Sequence, residues 1–163
     1  MSKLYLFPLL FAAALVWAGL YGALHDQISY TIGPDYFHRF KFEQFQIPER
    51  LHNRIGAFIV GWQASWWMGY YIALPVLLLA LLLPTARAYL TASVQAFAVV
   101  TGTAFLVGLG GLVYATIMNE PPFDRVGIMH DFSYLGGYLG IVTGSTFILF
   151  KWARSRRRVK EHQ

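Results

Sequence analysis

Four apolar stretches, each long enough to cross a bilayer, constrain this chain more than any other feature. They run from about Leu4 to Leu24, Ile55 to Leu83, Val94 to Ile117 and Phe132 to Trp152. About 20 residues rising 1.5 Å each cross the roughly 30 Å hydrocarbon layer, where a helix satisfies its own backbone hydrogen bonds. The expectation is an all-α polytopic membrane protein, a four-transmembrane-helix up-down bundle, with residues 1–163 as a single membrane domain. A composition that is 56% hydrophobic and only 13% charged agrees with that, being too apolar for a soluble domain of 163 residues. The first stretch is expected to be retained as a span: only Lys3 precedes it, its apolar run exceeds a signal-peptide core, and no small-x-small cleavage site precedes His25.

Counting cations orients the spans. Lys3, Arg87 and the cluster Lys151, Arg154, Arg156, Arg157, Arg158 and Lys160 make eight on one side, against Arg39, Lys41, Arg50, Arg54 and Arg125 on the other. Lys and Arg accumulate in cytoplasmic segments, so both termini are expected inside, with a basic cytoplasmic tail over 153–163. The net charge of +5 comes largely from that tail, which suits anionic lipid better than nucleic acid. The bilayer is thus the expected partner, and no nucleic-acid partner is expected. No cysteine is present, so disulfides and thiolate metal sites are excluded.

The loop expected outside, 25–54, holds Tyr30, Tyr36, Phe37, Phe40, Phe42 and Phe45, too many rings for a disordered linker. Gly33-Pro34-Asp35 reads as a turn, and the alternation over Phe37 to Phe45 suits a short strand or extended strip forming a lid on the bundle. Pro48 and Glu49 read as the start of the second helix, with a kink near Pro75.

Seven of the eight acidic residues and four of the five histidines fall at the outer end of the bundle. Charges are costly in hydrocarbon, so polar groups gathered there mark the working part of the molecule. Glu49-x-x-His52 has the spacing that puts a carboxylate and an imidazole on one helical face. His25-Asp26 and His130-Asp131 open two near copies, HDQISY and HDFSY, each at a span boundary. Imidazole and carboxylate together suit a divalent metal such as zinc or iron. The candidate ligands are His25, Glu49, His52, Glu120 and His130, backed by Asp26, Asp131 and Tyr134. Two further readings stand beside this one. In one the protein is a non-catalytic scaffold or accessory subunit whose polar groups are caps and ion pairs, with Asp131 capping the fourth helix. In the other it is a haem- or quinone-linked redox subunit, haem being a weaker candidate than a bare metal. Gly136, Gly140 and Gly144 line one face of the fourth helix, where another backbone can approach, either the third helix or a partner subunit in a homodimer.

The segment His25 to Phe37, followed by Phe40-Lys41-Phe42-Glu43-Gln44-Phe45, resembles a segment of uncharacterised bacterial four-helix integral membrane proteins. The resemblance implies a bacterial inner-membrane protein of the same layout and brings no activity with it.

Overall fold

The computed structural model describes residues 2–160, with side chains as far as Arg157; the last three residues of the expected basic tail, and the side chains of Arg158 and Lys160, lie outside the described residues. Five main helices carry the fold: α1 (Lys3–Ile32), α2 (Arg54–Ser65), α3 (Met68–Ala80), α4 (Ala86–Ile117) and α5 (Pro122–Lys160). Three of them, α1, α4 and α5, are long and apolar enough to cross a membrane. No strand forms among the described residues.

The second apolar stretch, expected as one helix over 55–83, is instead divided at Trp66 and Trp67, where Gly69 N–H donates to the Trp66 carbonyl and Tyr70 N–H to that of Trp67. These short-range bonds tighten the chain for one turn. The break precedes Pro75, where a kink was expected, and it does not redirect the chain. Gly61 meets Gly22 backbone to backbone, and eight residues further on Gly69 meets Ala14, eight residues back along α1. α2 and α3 therefore follow α1 in one antiparallel register. Glu49 does not open α2 either: Glu49–Leu51 is a single 3-10 turn, and α2 begins after Asn53, whose side chain accepts from Ile55 N–H at 2.8 Å.

The rings Trp62, Trp66, Trp67, Tyr70 and Tyr71 do not form one belt. Trp62 lies against Gly19, and Trp67 stacks on Tyr134, leaving Trp66, Tyr70 and Tyr71 facing outward.

α4 and α5 meet along the glycine face. Gly136 lies against Ala104, Gly140 against Val100 and Gly144 against Val100 and Ala96, so each step of four along α5 is answered by a step back along α4. That stripe is occupied within the chain, where small side chains let the two backbones approach. At the far end, Lys3 Nζ donates to the carbonyls of Leu81 and Leu83 just past α3, where the last carbonyls of a helix favour a cation. Lys3 and the turn leading to Arg87 thus share one end of the bundle.

The segment between α1 and α2 is helical where a strand or extended strip was expected. Pro34–Tyr36 forms one turn, Phe37–Lys41 is a π-helix, and Phe42–Gln44 follows. In the π-turn the Phe42 N–H reaches back five residues to the Phe37 carbonyl. That spacing turns Phe37 and Phe42 to one side, with ring centroids 6.0 Å apart and both side chains fully buried. With Tyr36, Ile47, Ala57, Val60 and Val126 they form a second core at the Asp26 end of the bundle. Phe37→Ala is expected to lower stability by about 3 kcal/mol, the cost of deleting a buried ring and leaving a cavity. Unfolding in detergent measures this, and an unchanged midpoint would mean the segment is only draped over the helices.

Candidate functional site

α1 does not stop at Leu24. Nothing in HDQISYTI breaks a helix, and the chain turns only at Gly33-Pro34, where Gly33 N–H closes the last turn on the Ser29 carbonyl. The polar residues of this segment are therefore on a helix, and His25, Asp26 and Ser29, expected in a loop, share its inward face. α5 likewise starts early, at Pro122 with Asp124 in its first turn, a favourable helix start. His130 thus lies two turns inside α5 among Val126, Met129 and Ser133. Asp131 is exposed and lies more than two turns inside the same helix, so it caps no helix start.

The near-copy segments bring their histidines together as expected. The His25 and His130 rings have centroids 5.1 Å apart, and Asp26 lies between them. Its Oδ1 is 3.1 Å from His130 Nε2 and 3.6 Å from His25 Nδ1. Ser29 Oγ is 3.0 Å from His130 Nε2, 3.4 Å from His25 Nδ1, and donates to the His25 carbonyl at 3.1 Å. His25 and Asp26 are each only 5% exposed. A buried carboxylate requires such partners, since unpaired it would cost several kcal/mol. Tyr36 and Phe37 close the site from above, with ring centroids 5.1 and 6.3 Å from that of His130.

Lys41, from the same segment, is half-buried and lies against the rings of Tyr36, Phe40 and Phe45, its Nζ bonded to Gln44 Oε1 at 2.9 Å. Burial pulls its pKa down, while Asp26 and Asp131 push it up. Burial, reinforced by Asp131, Asp26 and Tyr134, raises the Tyr36 phenol well above its ordinary range. The site is thus walled by a neutral phenol and a partly shielded cation.

Among the described residues, one group of three or more His, Asp and Glu side chains gathers its ligating atoms, here within 4.8 Å of one another: His25, Asp26 and His130. The remaining candidates have other surroundings. Glu49 is exposed. His52 follows the 3-10 turn rather than sharing a helical face with Glu49; its Nε2 pairs with the Ile47 carbonyl at 2.8 Å, and its ring stacks on Phe42. Glu120 follows the end of α4, where Asn119, at φ 59°, and Glu120 return their N–H groups to Thr116 and Ala115. Tyr134 donates to the Ala64 carbonyl at 2.9 Å, tying α5 to α2. Asp26 moves from a supporting position to the centre.

Ser29, Lys41 and Tyr21, which bonds Ser133 at 2.8 Å, were not singled out from the sequence. Ser29 was readable had α1 been continued: positions 25, 26 and 29 share a helical face. Lys41 carried no such signal, because only the fold brings its segment here.

No family model matches the chain, nor does any characterised protein or solved structure. The site is read from its own chemistry.

Proposed function

We propose that this chain is an integral protein of a bacterial inner membrane that holds a divalent metal ion at His25, Asp26 and His130, close to the periplasmic face. In this reading it crosses the membrane four times, with α2 and α3 together forming the second crossing. Their unbroken register along α1 supports that count, and Lys3 beside the turn of Arg87 supports placing both at the cytoplasmic end. The aromatic segment is then the extracytoplasmic lid.

The observation that carries the metal reading is the convergence of three donors of the right kind in a buried setting. A tetrahedral ion bound at about 2.0–2.1 Å holds neighbouring ligand atoms about 3.3 Å apart. Two of the three separations here, 3.1 and 3.6 Å, bracket that value, and all three lie within 4.8 Å. Two imidazoles and one carboxylate form a donor set used by catalytic zinc and by non-haem iron, and each leaves coordination positions open. Haem fits less well: the Asp26 carboxylate and Ser29 hydroxyl fill the space between the imidazoles that a macrocycle would need.

A structural reading is favoured by one fact, that Asp26, His130 and Ser29 already satisfy one another. Metal analysis with an optical spectrum of detergent-purified protein separates the two. About one zinc or iron per chain is expected, and metal-free protein that takes up neither ion on titration would leave the structural network. Orientation is tested separately. A reporter fused after Gln163 is expected to be active only in the cytoplasm and one inserted near Asp35 only outside. Cytoplasmic activity at Asp35 would overturn the arrangement.

A further inference from the structure

A cavity of about 90 Å³ runs through the bundle core and ends at His25, Asp26 and His130. On α1 its wall extends from Ala14 to Asp26, about 18 Å along the helix. Residues with little or no side chain make the room, among them Ala18, Ala64 and Gly137. At the end of the cavity His25 Nε2 is buried without a hydrogen-bond partner among the described residues, but three of the polar side chains along the wall are engaged with the protein. Tyr21 bonds Ser133 at 2.8 Å, Trp17 donates to Thr101 at 2.8 Å, and Tyr134 donates to the Ala64 carbonyl at 2.9 Å. Away from the His25, Asp26 and His130 end, the walls therefore offer few free partners to water or to a charged solute, and an apolar space of this kind takes up small apolar guests. Its size sets a limit too, being well below the roughly 150 Å³ that accommodates benzene in an engineered cavity. Trp17 lines the cavity and is 45% exposed on the outside of the bundle, so the cavity borders the lipid side there.

We propose that this cavity is a lipid-fed holding site for a small neutral diatomic gas of the dioxygen class, delivering it to an open coordination position on iron at His25, Asp26 and His130. Dioxygen-class molecules dissolve in hydrocarbon, need no hydrogen-bond partner and fit the volume. The coordination half of this inference rests on the proposed metal site; the holding site does not.

The test uses two probes on the full-length protein in detergent. In metal-free protein, xenon is expected to shift the methyl resonance of Met68, which lines the cavity, in a saturable way. Gly137→Leu fills the space, since a Cβ there meets only the mobile Met68 methyl, at 2.9 Å, and xenon binding is expected to be lost. In protein loaded with ferrous iron, nitric oxide is expected to form a spin-3/2 iron adduct, and Gly137→Leu to slow its formation at least tenfold with iron affinity unchanged. Thermal unfolding verifies that the variant is folded; Ala18→Leu, filling the same cavity from α1, is the alternative plug. A Met68 methyl indifferent to xenon would overturn the holding site, and plug variants that take up nitric oxide at the wild-type rate would overturn the delivery role. Failure to load iron would overturn delivery, while the xenon result would still decide the cavity.

Discussion

His130→Ala is expected to weaken metal binding at least a hundredfold, with His25→Ala and Asp26→Ala close behind. Changing a group that merely orients a ligand costs about 10- to 100-fold, so removing one of three ligands sets a larger loss. The pH dependence has a definite sign. A protonated imidazole cannot ligate, so protons compete with the ion at both histidines, and affinity falls as pH falls. Titration of stripped protein with zinc or iron at several pH values measures both effects. His52→Ala serves as the control: its Nε2 is committed to the Ile47 carbonyl, and metal affinity should not change. If the cluster is only structural, His130→Ala instead destabilises the fold by about 3 to 5 kcal/mol, because it strips the closest partner from a buried carboxylate. No metal is then lost. Equal metal content in wild type and all three ligand variants would rule the metal site out.

The second large effect is on folding. Gly61→Leu is expected to destabilise by more than about 4 kcal/mol, in the rare tail of single substitutions, and to lower the yield of folded protein sharply. A Cβ on Gly61 would collide with the Gly22 carbonyl oxygen and lie 2.6 Å from the Gly22 carbonyl carbon and 2.9 Å from Ala23 Cα. All three are backbone atoms, so no side-chain rearrangement relieves the clash, and α1 and α2 must move apart. The same contact holds His25 and Asp26 beside the lid, so any protein that does fold should bind metal more weakly. Gly102→Ala and Gly110→Ala are the contrast. Nothing lies within 4 Å of the added carbon at either, and the higher helix propensity of alanine should leave stability unchanged or raise it by up to about 1 kcal/mol. Similar unfolding midpoints for Gly61→Leu and Gly102→Ala would refute the close helix contact.

What the sequence determined by itself was the hydrophobic layout. Long apolar runs are read from composition over some 20 residues, and three became helices able to span a membrane, while the second was interrupted at Trp66 and Trp67. The pairing of His25 with His130 was legible too, because two near-identical segments at matching span boundaries place their histidines at similar depth. Helix ends were not. Hydropathy falls at His25, and after the third stretch ends near Ile117 it rises again only at Phe132, yet α1 continues to Ile32 and α5 begins at Pro122. Polar residues stay helical there because backbone bonds continue until a breaker intervenes, and the aromatic segment shields them from water. The tertiary structure alone brought Asp26, rather than Glu49 or Glu120, beside His25 and His130. It also set the π-turn that aligns Phe37 with Phe42 and brought Lys41 over the site. Each of these depends on which faces of separate helices meet, and in this chain that is fixed where glycines let backbones touch, at Gly22 with Gly61 and along Gly136, Gly140 and Gly144.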